Sequence, residues 1–304
     1  MKIVQGSGGK ARQLLGMLVG VALWLAASPA FATMFGDIWI VKNTTLTEDV
    51  IGSIEFKRGG ITLDCQGHSV QWSAEFSPLN CTDDEGYIHS CGINSKGLSN
   101  ITIRNCTVWD PRFGFAIWVS NSNRPSILSS AAGQSYMAGI YLENTTSAHI
   151  GVGTQVTSPD GYGLELVNAT DSYVQGNSFY ASYMGVYEKN GSFNEFVDNT
   201  MNYNDYGFYS RDSNGSFLSG NAQIRVNDVA GITFNNGKGF LIDSGNIATS
   251  NGYGIRVIGR SDGATIRYST ATSNKTCDAY QTTTPTNISW HHNTFGTRCN
   301  VPAQ

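Results

Sequence analysis

The amino-acid sequence predicts an all-β protein, a single-stranded parallel β-helix with about 22–24 residues per turn, and three observations carry the expectation. The first is a repeat. A small residue followed by a short alternating run recurs at Gly92-Ile-Asn-Ser, Ala116-Ile-Trp-Val, Gly139-Ile-Tyr-Leu, Gly163-Leu-Glu-Leu, Gly185-Val-Tyr-Glu, Gly207-Phe-Tyr-Ser, Gly231-Ile-Thr-Phe and Gly254-Ile-Arg-Val, in steps of 24, 23, 24, 22, 22, 24 and 23 residues. The second is another element on the same beat. Val174-Gln-Gly-Asn177, Phe196-Val-Asp-Asn199, Leu218-Ser-Gly-Asn221 and Trp290-His-His-Asn293 each place Asn three residues after an apolar one, and Asn105 lies close to the pattern. The third is the lack of any long apolar run of helical period in a chain rich in Gly, Asn, Ser and Thr.

Each element follows from these observations. A period-2 run of about five residues is a strand with one face buried. A repeat of this length has no room for a full crossover helix, so successive turns must stack strand on strand, parallel and in register. Gly and Asn suit left-handed backbone at the corners. Asn at one corner can bond the backbone of the next turn, so these Asn residues read as structural.

The sequence resembles the right-handed parallel β-helix, pectate-lyase-like superfamily, and is most similar to its exported NosD-like and carbohydrate-binding members. Ile61-Thr-Leu-Asp-Cys-Gln-Gly-His68 and Ile101-Thr-Ile-Arg-Asn-Cys106 look like the opening turns of that group, and the likeness runs over roughly residues 40–299. The resemblance implies a right-handed coil. It leaves function open, because that fold carries lyases, hydrolases, epimerases and binding proteins.

Residues 1–32 read as a secretion leader: Lys2, Lys10 and Arg12, then the apolar run Leu14–Ala27, then Ala30-Phe31-Ala32 for cleavage. The domain is then 33–304, secreted or periplasmic, with no membrane contact once the leader is removed. The chain holds 19 Lys+Arg and 23 Asp+Glu; without the leader's three basic residues the balance is 16 − 23 = −7, which argues against a nucleic-acid partner. Six cysteines without zinc spacing fit disulfides in an oxidising compartment. Cys277 and Cys299 differ by one turn and would staple the last coil. Cys81 and Cys91 would close a polar insertion that holds Asp83, Asp84, Glu85 and His89. Cys65 and Cys106 would pair or stay reduced. The insertion offers a place for a metal or a catalytic carboxylate, but reads first as a solvated insertion. No cofactor is implied. Ca2+ is compatible with the fold but no motif calls for it, and His68, His89, His149, His291 and His292 are too dispersed for copper.

The outward positions give the functional reading. Two residues after each repeat start lies the column Asn94, Trp118, Tyr141, Glu165, Tyr187, Tyr209, Thr233, Arg256. Four after lies Lys96, Ser120, Glu143, Val167, Lys189, Arg211, Asn235, Ile258. Aromatic rings interleaved with charge suit a polysaccharide, whose CH faces stack on rings while its hydroxyls meet polar groups. The like-charged neighbours Lys189 and Arg211 favour an acidic polymer unless Glu188 or Asp212 offsets them. Glu188 and Ser210 stand where the core column should be apolar, so the strand bulges there or these side chains turn out. Three activities fit. A lyase would use Lys189, Arg211 and Arg256 as cations and Tyr187 or Tyr209 as base or acid, with Trp118 and Tyr141 in the binding track. A hydrolase would use Glu143 and Glu165, about 8 Å apart at Cα by strand geometry. A non-catalytic glycan-binding or periplasmic accessory protein would need only the track.

Overall fold

The structure is a computed structural model, and it describes residues 33–302 apart from 73–74, 76–78, 111 and 159. The leader assigned to residues 1–32 therefore lies outside the described residues. The described chain is a right-handed β-helix of three parallel sheets of 13, 12 and 11 strands, in which each strand pairs with its equivalent one turn on. One face is longer than the others. Its strands run six residues, as in Phe115–Ser120, Tyr162–Val167, Met184–Lys189, Tyr206–Arg211 and Tyr253–Ile258. Those of the other two faces mostly run two or three.

Both columns read from the sequence are real. Trp118, Tyr141, Glu165, Tyr187, Tyr209, Thr233 and Arg256 are successive register partners on the long face. The same pairings carry Ser120, Glu143, Val167, Lys189, Arg211, Asn235 and Ile258. The intervening residues, such as Ile140, Leu164, Val186 and Ile255, are fully buried inside the coil. Toward the C-terminal end the interior becomes aromatic: Phe234 stacks on Phe240 with centroids 3.8 Å apart, and Phe208 meets Phe196 at 4.8 Å. Each such burial contributes roughly 1.5–3 kcal/mol.

The repeat glycines act by close approach rather than by turn conformation. Gly163, Gly185 and Gly207 are absent from the left-handed region. A Cβ on any of them would lie 2.5–2.7 Å from the carbonyl oxygen of the next repeat glycine. One column of left-handed corners is formed by Asn121, Asn144, Asn168, Asn190, Asp212 and Asn236, with φ between 49° and 59°. These side chains bridge from turn to turn, as in Asn168 Nδ2 to Asn144 Oδ1 at 3.0 Å. The buried Asn ladder is present as expected. The backbone N–H of Asn177 donates to Asn199 Oδ1 at 3.0 Å, and that of Asn199 to Asn221 Oδ1 at 2.9 Å. Asn105 is not part of it; that residue is exposed, with φ 54°. Ser130 takes the ladder position nearby, accepting from the Cys106 N–H at 3.2 Å.

The polar break in the core column has neither of the expected forms. Glu188 keeps regular register with Leu166 and Ser210, so there is no bulge, and both Glu188 and Ser210 point inward at 0% exposure. The carboxyl is satisfied inside the coil. Ser210 Oγ (2.7 Å) and Ser216 Oγ (2.8 Å) donate to one oxygen, and Asn194 Nδ2 (2.8 Å) to the other. Gly191 leaves the room, since a Cβ there would meet Glu188 Oε1 at 2.4 Å. Burial pushes the Glu188 pKa up, against those hydrogen bonds.

All six cysteines are paired: Cys65–Cys106, Cys81–Cys91 and Cys277–Cys299, with Cα separations of 4.7, 6.2 and 6.3 Å. Cys299 stands beside Tyr280 rather than Cys277, so the last staple runs diagonally.

Candidate functional site

The insertion is a paired hairpin rather than a loose loop, with Thr82 and residues 84–88 at its tip exposed to solvent. Leu79–Thr82 pairs antiparallel with the start of Ile88–Lys96, forming a hairpin closed by Cys81–Cys91. Its turn is tied by Asp83, whose Oδ1 accepts from the N–H groups of Glu85 (3.1 Å) and Tyr87 (2.8 Å). Asp83 Oδ2 lies 2.8 Å from His89 Nε2, and His89 Nδ1 lies 3.1 Å from Tyr136 Oη. The hairpin folds back on the outside of the long face. Cys81, Cys91, Phe115, Trp118, Tyr141 and Val167 form a second small apolar cluster, separate from the solenoid interior.

This changes the status of the outward column. Trp118 and Tyr141 point away from the solenoid core, as the periodicity predicts, yet each is only 1% exposed because the hairpin covers it. Glu143 and Glu165 are buried as well. Tyr187 is only 8% exposed too, so of the expected open strip Tyr141, Glu165, Tyr187 and Tyr209 only Tyr209 is partly open, and the strip is corrected accordingly.

At the boundary lies a cavity of about 300 Å³. Glu165, Tyr187, Lys189 and Arg211 form its floor, Tyr141 and Tyr162 line it, and Asp83, Asp84 and Glu85 form its roof. Asp84 locks the roof to the floor. Its Oδ1 accepts from Tyr141 Oη at 3.1 Å, and its Oδ2 pairs with Lys189 Nζ at 3.0 Å; Glu85 Oε1 is 3.6 Å from the same ammonium. Arg211 pairs with Asp212 at 3.1 Å and stays half exposed. The like charges of Lys189 and Arg211 are thus offset by Asp84, Glu85 and Asp212, not by Glu188.

Burial and the nearby Asp84 carboxylate push the Glu165 pKa up to about 8, with Lys189 opposing. Glu165 is therefore a neutral acid at pH 7, able to donate a hydrogen bond or a proton. Burial also raises the Tyr141, Tyr162 and Tyr187 phenols, which remain protonated. Glu143 is raised by burial and by Asp84 and Asp83.

The cavity thus gathers Tyr141, Glu165, Tyr187, Lys189 and Arg211. Tyr209 stands just outside, its ring 5.9 Å from that of Tyr187. Trp118 lies beneath the hairpin, with its indole Nε1 lacking a hydrogen-bond partner. Glu143 bonds Asn144 and does not line the cavity, which removes it as the second carboxylate of a hydrolase pair there. Arg256 lies three turns on from Glu165's neighbour Tyr187 and packs over Tyr253 at 5.2 Å. A base role for Tyr187 is disfavoured, because its pKa moves upward.

Sequence reasoning missed Tyr162, Tyr206 and Tyr253. All three stand immediately before a repeat glycine, in register with Met184 and Ala230. That third outward column was readable from period 2 alone. The roof residues carried no such signal, because an insertion has no register.

The fold and site define a right-handed β-helix protein with a disulfide-closed hairpin over a cleft on its long face. The family model described as periplasmic copper-binding protein (NosD) matches residues 77–302, and the chain belongs to that family. A location outside the cytoplasm follows, in agreement with the three disulfides. Among solved structures, the periplasmic alginate epimerase AlgG superposes with TM-score 0.60 at 11% identity, over 85% of this chain and 76% of that one. A double mutant of the same epimerase gives 0.61 at 13%, over 86% and 68%. At such identities the likeness is one of fold. A search of curated proteins finds no match.

Among the described residues, the His, Cys, Asp and Glu side chains do not gather into a copper site. Copper sites gather imidazole, thiolate or thioether donors. Among the described residues no group of three or more His, Cys, Asp or Glu is placed to hold a metal, and every cysteine is oxidised.

Proposed function

We propose that this chain is an exported, periplasmic glycan-binding protein whose cleft receives one sugar unit. The observation that carries the reading is the cleft's composition: tyrosine rings for the CH faces, with Glu165 as neutral donor and Arg211 as a half-exposed cation paired with Asp212. The same track continues past Tyr209 toward Tyr253 and Arg256. The basic pair first suggested an acidic polymer. The cleft contains four carboxyl groups, Asp83, Asp84, Glu85 and Glu165, against Lys189 and Arg211, and both cations are already paired, Lys189 with Asp84 and Arg211 with the more exposed Asp212. That balance favours an uncharged unit in the cleft, with Arg211 as the one place to meet a uronate.

A second reading, cleavage, rests on Glu165. A carboxyl poised near pH 8 and covered from water is suited to general-acid work. Titration calorimetry against neutral and uronate oligosaccharides tests binding, with Tyr187→Ala expected to abolish it. Following unsaturated products and new reducing ends in the same mixtures tests cleavage. Tight binding with neither product leaves the accessory role; binding by no glycan overturns the proposal.

A further inference from the structure

The hairpin does more than roof the cleft, because it also ends the track. On its N-terminal side every outward position of the first column is occupied by protein: Asn94, Trp118, Tyr141 and Glu165 are all at most 8% exposed. The cleft floor begins at Glu165 and Tyr187, and behind it stands the wall of Phe115, Tyr141 and the Cys81–Cys91 bridge. This wall is fixed, since a disulfide, the Asp84–Tyr141 bond and the Asp84–Lys189 ion pair hold it.

On the C-terminal side Tyr187 (8% exposed) and Thr233 (0%) of the same column are buried too, whereas Tyr209, Arg256 and Tyr280 are partly exposed. Ring contacts lead outward from Tyr162 to Tyr187 (4.9 Å), Tyr187 to Tyr209 (5.9 Å) and Tyr209 to Tyr206 (5.1 Å). Beyond them Arg256 lies over Tyr253, and Tyr253 meets Tyr280 at 5.2 Å. Tyr206, Tyr209, Tyr253, Arg256 and Tyr280 are all partly exposed. The run from Tyr187 through Tyr209, Thr233 and Arg256 to Tyr280 spans four register steps. At ~4.8 Å per step it is roughly 19 Å long, room for about four sugar units laid along the solenoid axis.

We infer that the cleft takes the end of a glycan chain, with the preceding units laid along the tyrosine track, and does not bind internal segments. The inference rests on the reading that the cleft binds a glycan. A chain passing through would have to enter the space held by Phe115, Trp118 and Tyr141. A chain ending there needs only the open side.

The test is stoichiometry. The purified protein is titrated with cello-, manno- and galacturono-oligosaccharides of increasing length and with their parent polymers, by calorimetry and light scattering. One protein per chain is expected at every length, with affinity rising and then levelling at about five units, the ~19 Å track plus the unit in the cleft. Many proteins bound per polymer, increasing with its length, would overturn the inference while leaving glycan binding intact. Loss of all binding to every ladder removes the underlying reading and this inference with it.

Discussion

The long face has two halves built from the same repeat, and they differ in what covers them. Between Trp118 and Glu165 the outward residues sit under the hairpin and behave as a second core. From Tyr206 to Tyr280 the outward tyrosines and Arg256 are partly open, although Thr233 of the same column is fully buried. The aromatic content is similar, so composition does not separate a packing surface from a binding surface. The ten-residue separation between Cys81 and Cys91 does. An aromatic stripe on a solenoid can be interior by virtue of an element that is not part of the repeat.

If the covered half is a true core, truncating it is costly. Trp118→Ala should lower stability by about 3–5 kcal/mol, the usual cost for a buried large aromatic, whereas Tyr209→Ala should cost far less. Denaturant midpoints check this, and equal effects would erase the distinction. The hairpin bond comes next. Replacing Cys81 and Cys91 by Ser should cost about 3 kcal/mol in the loop-entropy account, with faster amide exchange in the covered half and weaker glycan binding. The diagonal Cys277–Cys299 bond is of similar size, but its loss, as in Cys299→Ser, should loosen only the terminal turn.

Glu188 sharpens the comparison from inside. Glu188→Leu matches its neighbour Leu166 in shape but leaves Ser210 and Ser216 without their carboxyl acceptor and Asn194 Nδ2 with only the Ala169 carbonyl. A loss of about 1–3 kcal/mol is expected from those orphaned donors, with glycan binding retained. Stability that rises instead would mean the polar knot only interrupts the core.

The cleft predicts a pH dependence. Glu165 has its folded pKa raised from 4.5 to about 8. The folded state therefore holds a proton that the unfolded state releases. Stability should fall as pH rises from about 4.5 to about 8 and this contribution should then level off. Glu165→Gln should flatten that slope in thermal melts at several pH values. Binding that uses the acid as donor should weaken above pH 8. The smallest effect is expected at Arg211→Ala, which lies in the open half: stability within about 0.5 kcal/mol of the parent, and weaker, less salt-sensitive binding of uronate ladders.

How much of this was legible follows from what a repeat encodes. The coil, its register, both outward columns and the Asn ladder are readable because each turn faces the same geometry, so periodic residues report it. The glycine starts were legible as positions but not as causes, because only the stacked backbone shows a carbonyl where a Cβ would stand. Glu188 and Ser210 looked like a defect, since one strand cannot reveal Ser216 and Asn194 closing around the carboxyl from other parts of the coil. The cleft was the least legible part. Lys189, Arg211, Glu165 and Tyr187 were found from register alone. Their partner Asp84 is 105 residues away from Lys189 in the chain and lies in the one segment that breaks the period. By itself the sequence determined a parallel stack with aromatic and charged residues facing out, its right hand implied by the family resemblance. The tertiary structure decided which of those residues meet solvent, because an irregular hairpin can be placed only by the surface it packs on.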